Sequence, residues 1–352
     1  SAKLEVRRLI RRSSVRAIAS AHFLLPTSHF QLLISAMPRR AYISYPVGMS
    51  HRVLITRRVP ESGPALLRQS GFSVDILDTE QPPSRADVLA RVRGCDGGVA
   101  MLTDKIDAEF LDAAGPQLKV VANFGVGFDN IDRPACAARG VITTNTPDVL
   151  TDAIADIAWV LILAAARHAI VGDRTVREGK WVAWAPTQML GMPLTGRTLG
   201  VIGAGRIGAA VARRGTGFAM QLIYVARREM PEMQKLGAKR VTLDELLSQS
   251  DFVSLNCPLT PETRHMIGAA QLAKMKPTAI LVNTARGAVV DEAALVEALR
   301  TRQIWAAGLD VYEFEPKLHP GLQTLDNVVL LPHLGSANIA TRGQFERIID
   351  VH

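Results

Sequence analysis

Cysteine is scarce in this chain. Its 352 residues include three, Cys95, Cys136 and Cys257, widely spaced and with no Cys-x-x-Cys pair. That excludes a disulfide-stapled scaffold and a zinc or redox motif, and it reads as three reduced core thiols in a reducing compartment. No Walker-type phosphate loop, no metal-ligand spacing, no repeat and no low-complexity segment is present. No apolar run reaches the roughly 20 residues of a membrane span. The most apolar segment, 154–166, carries Asp156 and predicts a buried helix, so no membrane partner is expected.

Acids are nearly missing from one region. Residues 1–50 hold eight Lys or Arg against the single Glu5, which is seven of the eight net positive charges. The basic balance belongs to this leader and not to the body, so no nucleic-acid surface is expected on the folded part. Three readings are open for residues 1–48: a mitochondrial transit peptide, a secretory signal whose apolar runs are broken by Pro26 and His29, or an extension upstream of a start at Met49. A disordered leader is expected in each case. The expected compartment is the cytoplasm, or the mitochondrion if the leader is a transit peptide.

The body is organised around 198–208, Thr-Leu-Gly-Val-Ile-Gly203-Ala-Gly205-Arg206-Ile207-Gly208. A short apolar run predicts a strand at 199–202, and an Ala/Val-rich segment continues at helical spacing over 209–214. A glycine triplet between a strand and a helix is the dinucleotide fingerprint. Gly203 permits the turn, Gly205 lets a pyrophosphate approach, and Gly208 lets the helix pack close. The helix N-terminus then offers free N–H groups to phosphate. A second strand at 221–225 ends in Ala226-Arg227-Arg228, with no acid before Glu229. A carboxylate at that strand end serves the ribose 2′-hydroxyl of NAD, whereas two guanidiniums suit a 2′-phosphate. The expected cofactor is NADP(H), with NAD(H) as the alternative.

Short strands alternate with short helices along the rest of the chain. Strands are expected at 53–55, 73–77, 97–102 and 118–122, with helices at 64–69, 85–91 and 107–113. After the fingerprint the pattern gives helices at 243–248, 269–274 and 292–300, and strands at 252–255, 279–283, 306–311 and 328–331. Thr151 or Asp152 is expected to cap the apolar helix. This alternation predicts an α/β chain of two Rossmann-like, doubly wound parallel-sheet domains with an active-site cleft between them. A glycine-rich loop, 123–132, follows one predicted strand.

Arg286, Glu315 and His333 each lie just past a predicted strand end, where ligands bind in open α/β sheets. A guanidinium can grip a carboxylate bidentately, an imidazole can protonate a carbonyl oxygen, and a neighbouring carboxylate can orient the ring.

Four stretches carry a family resemblance: Gly203-Ala-Gly-Arg-Ile-Gly208, Asn283-Thr-Ala-Arg286-Gly287, Gly308-Leu-Asp310-Val-Tyr-Glu-Phe-Glu315-Pro316 and Leu331-Pro-His333-Leu-Gly-Ser336. Together they resemble the D-isomer-specific 2-hydroxyacid dehydrogenases. Trp181-Val-Ala-Trp184-Ala-Pro186 and the missing strand-end acid make the chain most similar to glyoxylate/hydroxypyruvate reductases. The resemblance implies Arg286, Glu315 and His333 as the catalytic set, and Val126 and Gly127 as backbone donors to the substrate carboxylate. It implies Thr151, Gly203, Gly205, Arg206, Ile207, Gly208, Cys257, Thr263, Thr284, Asp310 and Ser336, with Arg227 and Arg228, as cofactor positions. No metal is implied. It further implies a substrate domain at 51–148, a dinucleotide domain at 149–336, a return of 337–352 to the first domain, a small 2-oxoacid or 2-hydroxyacid substrate, and a homodimer.

Relatives continue beyond Ser336 with a longer helix than sixteen residues allow, so a weakened hinge and exposed apolar surface on the first domain are expected. Two rivals remain open: a dinucleotide-sensing binding protein like the corepressors that keep the Arg/Glu/His set, and another dehydrogenase of the fold, such as a phosphoglycerate dehydrogenase. Phosphoglycerate calls for added cations in the first domain, and 99–104 offers none.

Overall fold

In the computed structural model the described residues are 51–342; the leader and most of the C-terminal segment discussed above lie outside them. The described chain forms two wholly parallel sheets. The first has five strands: β1 (Arg52–Ile55), β2 (Ser73–Ile76), β3 (Gly97–Ala100), β4 (Val120–Asn123) and β5 (Ile142–Thr144), in the order β2-β1-β3-β4-β5. The second has seven: β6 (Thr198–Ile202), β7 (Gln221–Val225), β8 (Lys239–Arg240), β9 (Phe252–Leu255), β10 (Ile280–Asn283), β11 (Ala306–Leu309) and β12 (Val328–Leu330), in the order β12-β11-β10-β9-β6-β7-β8.

Each sheet is covered on both faces, as parallel sheets require. The alternation along a strand sorts its side chains into two cores. In the second sheet Leu199, Val201, Ile280 and Val282 face one core, and Ile202, Leu281, Val253 and Leu255 face the other. In the first sheet Leu54 faces one core while Val53 and Ile55 face the opposite one.

The first sheet carries helices α1 (Ser62–Gln69), α2 (Arg85–Arg91), α3 (Ala108–Ala114) and α4 (Arg133–Ala138). Ser84, Asp107 and Asp132 cap α2, α3 and α4 by accepting backbone N–H bonds, which supplies partners that the first-turn donors otherwise lack. α5 (Thr151–Ala166) joins the two sheets in sequence and packs across β10, β11 and the fingerprint helix. It is the expected buried helix, although Val160 and Leu163 of its outer face remain exposed. α6 (Ala169–Arg177) follows at a sharp bend, and no single described helix is long and apolar enough to cross a membrane.

The expected helix cap differs. Leu150 holds the cap position without a side-chain bond, and Thr151 is already helical. Asp148, at φ 74°, turns the chain one step early, and Asp152 instead pairs with Arg213 and Arg214 at 2.9 and 3.1 Å.

The fingerprint helix α7 (Arg206–Thr216) begins inside the glycine triplet. α8 (Pro231–Lys235), α9 (Leu243–Gln249), α10 (Ala269–Leu272) and α11 (Glu292–Arg300) complete the second unit. The sequence pattern missed α4, β5, α6, α8 and β8. These are short or polar, and β5 and β8 are edge strands with no buried side chain, so alternation is weak there.

Candidate active site

The carboxyl ends of β4, β10 and β12 lead into loops that meet around one cavity of about 240 Å³. Val126, Gly127, Arg286, His333, Thr284 and Ser336 contribute to its wall. A wider cleft of about 1190 Å³ shares Asp129, Arg286 and His333 with it and also reaches Glu315. Strand-end loops on one side of a sheet are where such folds bind ligands.

His333 and Glu315 form a pair. Nδ1 of the ring lies 2.9 Å from Oε2 of Glu315, so Nε2 is the nitrogen left to face a ligand. The other carboxylate oxygen accepts the N–H of Tyr312 at 2.9 Å. Burial works to raise the Glu315 carboxyl, but the His333 hydrogen bond and charge, with the Tyr312 N–H, outweigh it and hold the group below its usual range. His333 has φ 55°. The two N–H groups that follow it, those of Leu334 and Gly335, donate to the two oxygens of Asp310 at 2.6 and 2.8 Å. Burial raises the Asp310 carboxyl in spite of those donors. Tyr312 donates its hydroxyl to Leu331 O at 2.9 Å, and burial pushes its phenol up to about 12. The imidazole is thus held from both sides of its backbone.

Arg286 stands on the other side. Its Nε donates to Asp129 at 2.9 Å and its Nη1 to Ala285 O at 2.9 Å. Its Nη2 lies 1.4 Å from where a Cβ of residue 127 would be, so only glycine fits beneath the guanidinium. Val126 and Gly127 donate no backbone hydrogen bond among the described residues. Their carbonyls accept from Asn145 and Asn123, at 2.8 and 2.5 Å. A guanidinium beside two free N–H groups is an anion site, and a planar carboxylate matches it.

The dinucleotide side fits its group. Gly203 has φ 89°, and a Cβ there would meet the Asn256–Cys257 peptide at 2.6 Å. A Cβ at position 208 would meet Gly203 O at 2.2 Å, while nothing lies within 4 Å of that position at Gly205. The turn is closed underneath and open at the helix N-terminus, where a pyrophosphate would sit. Thr284 and Asn256 line the cavity, and each has a buried side-chain oxygen with no protein partner among the described residues. Those oxygens fit the amide of a nicotinamide or another ligand donor.

The remaining expected cofactor positions separate into groups. Ile207, Cys257 and Ser336 line the cavity; burial pushes the Cys257 thiol up to about 11, so it is an uncharged wall. Arg206 pairs with Asp148 at 2.6 Å, with both side chains exposed. Thr263 bonds Pro258 O and the Thr260 N–H, closing its own loop, and Thr151 lies outside both cavity walls. Arg227 and Arg228 are exposed at the end of β7 and form no ion pair among the described residues. The next acid in the sequence, Glu229, accepts the Tyr224 hydroxyl at 2.7 Å. The Glu262 carboxyl is held below its usual range by its bond to Thr260, and the Arg227 charge helps.

Comparison with known proteins decides the family. A family model described as the D-isomer specific 2-hydroxyacid dehydrogenase, NAD binding domain, matches residues 159–335. The chain belongs to this family. A glyoxylate reductase of Thermococcus onnurineus is 54% identical over 299 residues, covering 84% of this chain and 89% of that one. One from Korarchaeum cryptofilum is 50% identical over 305 residues, covering 86% and 91%. Among solved structures, a protein of Thermus thermophilus superposes with a TM-score of 0.80 at 44% identity, covering 85% and 94%. An NADPH-dependent glyoxylate/hydroxypyruvate reductase of Sinorhizobium meliloti, in complex with NADP and malonate, gives 0.76 at 35%, covering 86% and 92%. This member of the 2-hydroxyacid dehydrogenases is therefore an NAD(P)-dependent enzyme, and its cofactor is a nicotinamide dinucleotide.

Several site residues carry no signal in the sequence. Asp129 sits in the glycine-rich loop 123–132, yet its partner is 157 residues away. Asn256 follows a strand without any motif. Arg57, Arg58 and Arg342 also border the wide cleft. Arg57 donates to Thr103 at 2.7 Å, so the first unit does bring cations to the pocket, through β1 and not through 99–104.

Proposed function

We propose that this dehydrogenase is an NADPH-preferring reductase of small 2-oxoacids, turning glyoxylate into glycolate and hydroxypyruvate into D-glycerate. The observation that carries the reading is the His333–Glu315 pair at 2.9 Å on a cavity whose other wall holds Arg286. Arg286 and the N–H groups of Val126 and Gly127 take the substrate carboxylate. That places the adjacent carbonyl toward His333, whose Nε2 proton passes to the carbonyl oxygen. Glu315 keeps the ring oriented. Asp310 fixes the backbone behind the ring, so its carboxylate acts on His333 more directly than on cofactor. When bound, the nicotinamide supplies the hydride to the carbonyl carbon.

The NADPH preference rests on Arg227 and Arg228 at the strand end; the acid that follows, Glu229, accepts the Tyr224 hydroxyl at 2.7 Å and lies 3.9 Å from Arg240. Division into a substrate domain at 51–148 and a dinucleotide domain at 149–336 follows the two sheets. Three buried free thiols suit a reducing compartment, here the cytoplasm. A homodimer is supported by the apolar surface around α5 and the loop after α6: Val160, Leu163, Ile170, Trp181, Val182 and Trp184 are all exposed, Val182 at 96% and Trp184 at 77%.

Arg57 and Arg342 favour a second reading of the substrate, a longer 2-oxoacid with a distal anionic group, as in a phosphoglycerate dehydrogenase. Initial rates with glyoxylate, hydroxypyruvate and phosphohydroxypyruvate, each with NADPH and NADH, separate these readings. Turnover of the two small acids with NADPH is expected. Turnover confined to the phosphorylated acid would replace the first reading with the second. Cofactor binding without turnover would favour a binding role.

A further inference from the structure

Glu292 is the first residue of α11 and only 4% exposed, with no cation paired to it among the described residues. Its two oxygens are taken by one short loop. Oε1 accepts the N–H of Glu313 at 2.6 Å, and Oε2 accepts the N–H of His319 at 2.8 Å. Between those two anchor points lies Glu315, the partner of His333. One carboxylate thus closes the loop that carries the acid of the pair.

From this placement we propose that Glu292 is a positioning residue for the reaction: it sets the Glu315 carboxylate, and through it His333, without touching substrate. The inference rests on the His333–Glu315 reading above. A buried carboxylate is costly unless hydrogen-bonded, and here the helix N-terminus and two loop N–H groups compensate it. The loop has other ties: the Glu313 carboxylate meets His265 Nε2 at 2.6 Å and Arg264 Nη2 at 3.3 Å, and the Tyr312 hydroxyl donates to Leu331 O at 2.9 Å. Those hold the residues before Glu315; Glu292 alone among these side chains bonds backbone on both sides of it, at Glu313 and His319. The glycine after Arg286 brings the same loop close. A Cβ at Gly287 would meet Tyr312 C at 1.8 Å, so the loop rests on the Arg286 segment and Glu292 draws it there. A glutamine at 292 would keep one acceptor and turn its NH2 toward a backbone N–H, losing one of the two anchors. Aspartate would keep both acceptors on a shorter stem.

The test is a double-mutant cycle on the intact enzyme. Glu292→Gln is expected to lower kcat at least tenfold while leaving KM for glyoxylate and the Kd for NADPH within twofold, and Glu292→Asp to recover part of kcat. In a Glu315→Gln background, Glu292→Gln is expected to cost nothing more, because both act through one carboxylate. Glu297→Gln, on the exposed face of the same helix, serves as the control for helix stability. Full kcat in Glu292→Gln would overturn the proposal, as would equal losses of kcat in the presence and absence of Glu315. If Glu292→Gln does not fold, Glu292→Asp decides: it must lower kcat without raising KM. Full kcat in Glu315→Gln alone would instead overturn the underlying acid–base reading and leave the loop anchor as a structural feature.

Discussion

Arg286 Nε donates to Asp129 Oδ1 at 2.9 Å, linking the loop after β10 to the loop after β4 across 157 residues of chain. The bond fixes the guanidinium by its inner nitrogen, with Nη2 lying over Gly127 beside two free N–H groups. Asp129→Asn should therefore raise KM for glyoxylate about tenfold, roughly the 1.5–3 kcal/mol of a charged hydrogen bond less its partial exposure. Its effect on kcat should be smaller. Gly127→Ala should be worse, because its methyl would occupy the place of Nη2. Steady-state kinetics on both variants check the order, and an unchanged KM in both would remove Arg286 from the carboxylate site.

His333 is the proton donor of the proposed reaction. His333→Gln should lower kcat by about 10²–10⁴, the range for a lost general acid, and leave NADPH affinity intact. Fluorescence titration of the cofactor alongside turnover distinguishes this from a collapsed site, which would lose both.

The Glu315 carboxyl titrates below its ordinary value of 4.5. A group whose native pKa is lowered stabilises the fold above its unfolded pKa, and that contribution fades as pH falls through the native value. Glu315→Gln should thus melt below the wild type at pH 7, and the gap should close below pH 4.5. Calorimetry from pH 3.5 to 7 reads the gap, and one that widened on acidification would contradict the pairing with His333.

Arg227 and Arg228 stand exposed at the end of β7 with no protein anion paired to them among the described residues. Replacing both by alanine should lower kcat/KM for NADPH at least tenfold and change that for NADH less than threefold. Equal effects on the two cofactors would make them plain surface charges.

Val160 and Leu163 are the exposed apolar residues of a helix whose other exposed side chains, Asp152 and Asp156, pair with arginines. Val160→Asp with Leu163→Asp should convert a dimer to a monomer, seen by sedimentation, with the melting profile of the monomer resolved separately. A wild type that sediments as a monomer would discard the assembly.

The parallel α/β class, the fingerprint turn and the strand ends bearing Arg286, Glu315 and His333 were legible in the sequence. Each rests on local chemistry: apolar alternation, glycine at a turn with φ 89°, and polar residues just past a strand. The cysteine count, the leader's charge and the absent strand-end acid were equally local. The structure alone decided what those residues face. Asp310 could be placed on the sequence but not assigned to the N–H groups of Leu334 and Gly335, because both belong to a different strand end. Asp129, Glu292 and Arg57 had no motif at all. Their meaning comes from contacts that span from 21 to 157 positions, and such pairings depend on strand order and register, which period-two and period-3.6 patterns do not encode. The sequence determined which chemistry was present; the strand order of the two parallel sheets decided which strand-end loops, and so which groups, would share a cavity.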